Sequence, residues 1–179
     1  MLYLTLVRSQ FEHCSPVWRP NGKSMIERLD NFQKKCIKWI LSEEELSYES
    51  HDAYVRKCRQ VNILPLSHRF ILNDILLLHK VVNKIVPIDI PNYLTLFTGQ
   101  SRLRSSHRDE LSFVCSLLPN SSNTNLLEKS FFYRTHMVWN SMPLEIRKLE
   151  STSEFKAKIE THLWDMLLNI EDGERGGIG

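Results

Sequence analysis

Cysteine is scarce in this sequence and carries no pattern. The four cysteines stand at positions 14, 36, 58 and 115. No two are spaced C-x-x-C, and no C-x-x-C…H-x-x-x-H framework exists, which excludes the common structural zinc modules. His13 lies next to Cys14, a spacing that does not readily turn both side chains to one metal. The expectation is four reduced thiols acting as small hydrophobes, with no metal and no cofactor. Six glycines and seven prolines are too few for a collagen-like or low-complexity chain. Apolar runs are short: Ile75–Leu78 is ended at once by His79. A membrane-spanning helix needs about 20 apolar residues, so no membrane partner is expected. The opening Met1–Val7 is apolar but too short for a signal peptide, and Arg8 and Glu12 follow immediately. An intracellular, reducing setting is the expectation, with cytoplasm and nucleus both open.

Catalytic signatures are also missing. There is no G-x-x-x-x-G-K-[ST], no G-x-G-x-x-G and no G-x-S-x-G. Two-metal phosphoryl transfer needs converging carboxylates, yet there is no D-D or D-x-D, and Asp89 and Asp109 are isolated. Glu43–Glu45 cluster in what reads as a solvated turn. None of the seven histidines carries a local signature, and residues such as His79 and His136 read as packed or surface groups. Intrinsic enzyme activity is not expected.

What is present is ordinary globular composition, with 42% hydrophobic and 25% charged residues over 179 positions. A chain of this length buries about 70% of its unfolded surface and forms one domain or two small ones. Charge is uneven. Residues 1–40 hold seven bases against three acids, 41–50 hold four acids and no base, and 51–84 hold six bases against two acids. The last stretch, 151–179, is acidic. A basic first half suits phosphate, and it equally suits a solvated helix face.

The apolar period is mostly helical. Leu4, Val7 and Phe11 mark a first helix over 2–13, broken at Pro16. Ser24 and Glu27 form a possible capping box for a second. In it Met25, Leu29, Phe32, Cys36 and Trp39 step by 4, 3, 4 and 3 along an expected core stripe, with Arg28, Lys34, Lys35 and Lys38 on the other side. A third helix is predicted over Tyr48–Val61. A fourth, capped by Ser67, should run to Ile85 and stop at Pro87, and it is apolar so far round that it belongs at the centre of a core. Residues 86–109 read as irregular. Leu111, Phe113, Cys115 and Leu117 alternate as a strand, which needs a hairpin or helices to be stable. Asn120–Asn125 reads as a loop. A fifth helix is predicted over Leu126–Met142, closed by Pro143. Ser151 and Glu154 cap a last helix reaching Asn169, with 171–179 as a disordered tail. The expected fold is mainly α: an irregular bundle of about five to six helices with a small β element near 110–117. The expected division is 1–85, 86–170 and the tail.

Bases and aromatics interleave around Trp18-Arg19 and Lys38-Trp39, a composition that suits stacking on bases and contact with phosphate. For Trp39, however, the helix period favours the core. Arg102, Arg104, His107 and Arg108 form a looser basic stretch.

An ordered series of short motifs carries more information. Phe11-Glu12-His13-Cys14-Ser15-Pro16-Val17-Trp18 is followed by Ile26-Glu27-Arg28-Leu29 and Gln33-Lys34-Lys35, then by Leu64-Pro65-Leu66-Ser67-His68-Arg69 and Asp74. Later come Ser130-Phe131-Phe132-Tyr133-Arg134, Trp139-Asn140-Ser141-Met142-Pro143, Ile146-Arg147, Ser153 and Phe155-Lys156. In this order and spacing, over about residues 2–168, the series resembles the segment after the catalytic palm in reverse transcriptases of jockey-like non-LTR retrotransposons. The resemblance implies a helical thumb with a C-terminal extension, which holds RNA or a template–primer duplex next to an upstream polymerase palm. It implies no catalytic residue. The family's [FY]-x-D-D turn and further palm Asp are absent, as is its endonuclease domain.

The motifs also have a plain physical reading. Pro16 breaks a helix and lets Val17 and Trp18 pack. Pro65 forces an extended approach before Ser67. Trp139 packs, Asn140 satisfies a helix end, and Pro143 returns Ile146 to the core. The candidate nucleic-acid contacts are then Arg19, Arg28, Lys34, Lys35, Lys38, Arg102, Arg104 and Arg134. Two functions are expected to compete: a non-catalytic reverse-transcriptase fragment (an RNA-directed DNA polymerase by descent) that holds RNA or RNA–DNA duplex, and a helical protein–protein interaction module with no nucleic-acid role. A fragment of that kind should leave an apolar face exposed where it once met the palm.

Overall fold

The computed structural model describes residues 2–20, 22–42, 51–98, 110–116 and 129–175, with backbone alone for His51 and 169–175. Among them the chain is mainly helical with one small antiparallel sheet, as the hydrophobic period predicts. A π-helical turn, Tyr3–Arg8, leads into α1 (Ser9–Glu12) and α2 (Ser15–Trp18). Then come α3 (Lys23–Leu41), α4 (His51–Gln60), α5 (Leu66–Val82), β1 (Leu94–Phe97), β2 (Ser112–Cys115), α6 (Phe131–Ser141), α7 (Leu144–Arg147) and α8 (Thr152–Arg175). Helices α1, α2 and α7 are single turns, too short for a period to reveal. The chain divides into two compact units, 1–73 with 160–179, and 74–159. The boundaries fall inside α5 and α8.

In the first unit the break expected at Pro16 falls earlier. His13 turns extended and Cys14 is left-handed (φ 52°). Pro16 sits in the first turn of α2, where its missing N–H costs nothing. Trp18 packs edge-on against Phe70 (5.4 Å) and donates from Nε1 to the His13 carbonyl (2.6 Å). Val17, expected to pack, is exposed. Arg69 is buried in a fork with Glu12 (2.7 and 3.0 Å), and Glu160 lies 3.4 Å from its Nη1. Asn73 donates to the Ser15 hydroxyl (3.0 Å).

Helix α3 differs most from expectation. It starts at Lys23 with Gly22 as N-cap, so Ser24 lies inside the helix rather than capping it. Its buried residues are Gln33 and Ile37, not the Met25–Trp39 stripe. Gln33 Nε2 donates to the Leu64 carbonyl (3.0 Å), while its Oε1 accepts from the Tyr54 hydroxyl (3.0 Å) and from the Leu66 N–H. Asp30 accepts from the Ser67 N–H (3.3 Å). The first two N–H groups of α5 are thus capped by side chains of α3, and the expected cap, Ser67, lies within the first turn. The 4-3-4-3 stripe also drifts. It repeats every 3.5 residues, while the helix turns every 3.6, so the stripe rotates about 40° across two heptads. The stripe is already off the buried side at Met25, which is 48% exposed, and by Trp39 it has turned further toward solvent.

Helix α5 is central, as its all-round apolarity predicts: Phe70, Leu72, Ile75 and Leu78 are each fully buried. It ends at Val82, short of Pro87, on a left-handed Lys84 (φ 55°), with the Ile85 N–H donating to the Lys80 carbonyl (2.8 Å).

In the second unit β1 pairs with β2, Leu94 opposite Cys115 and Phe97 opposite Ser112. Strand β2 is the expected one, and β1 lies within the stretch read as irregular. Asn140 does not satisfy a helix end. Its amide takes both backbone groups of Phe113, accepting from the N–H (2.7 Å) and donating to the carbonyl (2.8 Å), as a neighbouring strand would. Helix α6 begins after Ser130, and the part of the predicted helix from Leu126 to Glu128 lies outside the described residues, as do Glu43–Glu45 and Asn120–Asn125. Pro143 precedes α7, which leaves Ile146 half-buried and Arg147 buried, with Arg147 donating to the Glu110 carbonyl (3.1 Å). Ser151 caps α8 weakly (3.5 Å to the Glu154 N–H), and α8 continues past Asn169 to Arg175.

An aromatic row forms the centre of this unit. Phe113 meets Trp139 edge-on (6.1 Å), Trp139 stacks on Phe155 (5.9 Å), and Phe155 stacks on the His79 ring (4.1 Å). His79 is fully buried, its Nε2 lies 2.7 Å from the Leu149 carbonyl, and its Nδ1 has no partner among the described residues. The carbonyl fixes the neutral tautomer with the proton on Nε2. Burial, aided by Lys80, holds this imidazole below its ordinary pKa, against the opposing pull of the carbonyl. The unfolded chain therefore takes up a proton near pH 6.5 before the folded one does. Stability should fall as pH drops below about 6.5, by up to about 1.4 kcal/mol per unit, until the folded His79 also protonates. Urea unfolding at pH 7.5 and 5.5 checks this. His79→Gln, which keeps a donor for Leu149, should flatten the dependence, and an equal slope in both proteins would remove His79 from the account.

Candidate nucleic-acid interface

Helix α3 carries five bases (Lys23, Arg28, Lys34, Lys35 and Lys38) against two acids, Glu27 and Asp30. Asp30 is turned to the α5 N-terminus. Four residues, Arg28, Phe32, Lys35 and Trp39, follow one another at i, i+4, i+7 and i+11. At about 100° and 1.5 Å per residue they span an arc of roughly 60° and a length of about 16 Å. All four are exposed, Trp39 at 87% and Phe32 at 41%. The result is an alternating row of cation, aromatic, cation, aromatic. Phe32 is steadied by Phe11 edge-on at 5.6 Å. Arg28 and Lys35 form no ion pair among the described residues.

The expected contact residues separate into three groups. Arg28 and Lys35 are in the row. Lys34 and Lys38 are half-buried on the opposite flank, where the Lys34 ammonium sits 5.1 Å over the Tyr54 ring. Arg19 is half-buried just after α2. Arg134 is a correction. Its guanidinium forks onto Asp74 (2.9 and 3.1 Å), donates to the Lys129 carbonyl (3.1 Å) and lies over the Phe131 ring (5.7 Å). Asp74 is almost fully buried, so this arginine neutralises a carboxylate of the fold rather than a phosphate. Arg102, Arg104, His107 and Arg108 lie outside the described residues.

Sequence reasoning missed Trp39 and Phe32 as surface groups. The usable signal was Gln33: a long polar side chain with both donor and acceptor, placed opposite a proline-interrupted segment whose backbone needs both. Taking Gln33 as the inward residue turns Trp39 outward.

No three metal-ligating side chains converge among the described residues, and no described helix is long and apolar enough to cross a membrane. Burial pushes the Cys58 thiol up to about 12 and raises that of Cys36, so neither is a thiolate near neutral pH. No family model matches the chain, and no curated protein or solved structure matches it either.

Proposed function

We propose that this chain is a non-catalytic, intracellular helical module that holds RNA or an RNA–DNA duplex, a remnant of the post-palm part of a retrotransposon-type reverse transcriptase. The observation that carries the reading is the cation excess of α3, with Arg28 and Lys35 exposed on its outer face. Backbone phosphates are held by such cations through counterion release, which makes binding salt-dependent. The ordered motifs from Phe11 to Lys156 supply the link to the polymerase. No catalysis belongs to the proposal, since palm chemistry needs carboxylates that the sequence does not offer.

The test is anisotropy of a fluorescently labelled RNA titrated with protein across a salt series. Replacing Arg28 and Lys35 together by Gln should flatten the slope of log K against log salt by roughly 0.7–0.9 for each phosphate no longer neutralised. An unchanged slope would overturn the role of this face.

The second reading is a protein-docking helix. It is favoured by the seven-residue spacing of Met25, Phe32 and Trp39, which lie at exposed seam-like positions. It predicts a partner complex that survives high salt.

A further inference from the structure

Resting on the nucleic-acid reading, we propose that α3 selects unpaired strand, with the Trp39 indole as the platform on which an exposed base stacks and Lys35 and Arg28 as the groups that hold its phosphates. Trp39 is the most exposed large apolar side chain in the described structure, at 87%. An indole this exposed contributes little to the core, and each nucleobase has an apolar face of matching shape and polarisability. Its neighbours along the row are cations one and three turns away, so a strand lying along α3 meets aromatic and positive charge in alternation. A duplex engages the cations of this arrangement but not its aromatic platform. Paired bases hide their faces in the stack, and a duplex offers Trp39 only sugar edges and phosphate.

A helix partner fits it less well. A coiled-coil seam needs its a and d positions open over three or four heptads. Here Leu29 and Cys36 are half-buried, and Phe32 leans on Phe11. That leaves Met25, Phe32 and Trp39 open one heptad apart, with Trp39 by far the most exposed of the three. A second copy of α3 is also disfavoured, because five bases against two acids would face the same excess.

The experiment uses the full chain, a labelled 20-nucleotide unstructured RNA and the same RNA annealed to its DNA complement. Trp39→Ala should weaken the single strand by about 5- to 150-fold, and leave the duplex within about twofold. The salt slope should not change, since no charge is removed. Trp39→Phe should recover most of the loss. At 87% exposure the residue is dispensable to folding, and an unchanged far-UV spectrum and unfolding midpoint verify that. Equal weakening of both ligands, or no weakening of either, overturns the stacking role. If Arg28→Gln/Lys35→Gln still flattens the salt slope in that case, the nucleic-acid reading stands without the stacking. If wild-type protein binds neither ligand at low salt, both fall together.

Discussion

Arg134→Met should lower the stability of the fold by about 3–5 kcal/mol. Asp74 has a side chain only 2% exposed, on the central helix α5, and Arg134 satisfies both of its oxygens in one fork. Removing the arginine leaves a carboxylate out of water without its guanidinium, and the desolvation penalty then falls on the native state alone. The same argument gives a second variant. Asp74→Leu with Arg134→Met together should recover most of the loss, because an apolar pair of similar volume carries no such penalty. Urea unfolding of the wild type, the single and the double variant measures both. A single variant within about 1 kcal/mol of wild type would show the pair to be solvated. Binding adds a cross-check, since a fold arginine should leave the RNA salt slope untouched, whereas a phosphate-binding one would flatten it when removed.

The motifs legible in the sequence turn out to be devices of the fold. Glu12 and Arg69 come from two of them and meet in a fork. Asp74 and Arg134 come from two others. Trp139 donates from Nε1 to the Leu111 carbonyl (2.7 Å), Asn140 clasps β2, and Arg147 is buried. Their spacing was readable because each fixes a join between elements, and joins demand particular side chains. Helix content was readable for the same kind of reason: the apolar period of α5 and the Ser151 cap are local. Hidden from the sequence were features set by partners far along the chain. Strand β1 is defined by its register with β2. The facing of α3 is decided by the backbone of Leu64 and Leu66, more than thirty positions away. An apolar stripe records which side of a helix avoids water, but not whether the folded chain supplies the cover. The exposed row of α3 was therefore visible as composition and invisible as geometry.

Gln33 makes the most contacts that set that facing. Gln33→Leu should destabilise the protein by about 2–5 kcal/mol, although leucine matches its size and favours the helix. Gln33 is fully buried and meets a donor and an acceptor at once, the Leu66 N–H and the Leu64 carbonyl, on either side of Pro65. Leucine leaves both backbone groups without that partner in a dry site, at about 1–3 kcal/mol each. The loss has a consequence for the surface. With Gln33 gone, the longer Asp30–Ser67 contact (3.3 Å) is the remaining polar tie described on that side of α3, and the Met25–Phe32–Trp39 side becomes the more apolar one to bury. Rotation of α3 by part of a turn would withdraw Trp39 from water. Tryptophan emission should then shift to the blue and iodide should quench it less, at protein concentrations where the chain stays folded. Gln33→Glu separates the two effects. It keeps an acceptor for Leu66 but loses the donor for Leu64 and buries a charge, so it should destabilise at least as much. A Gln33→Leu protein as stable as wild type, with Trp39 still open to quencher, would mean that the apolar core alone sets the facing of α3.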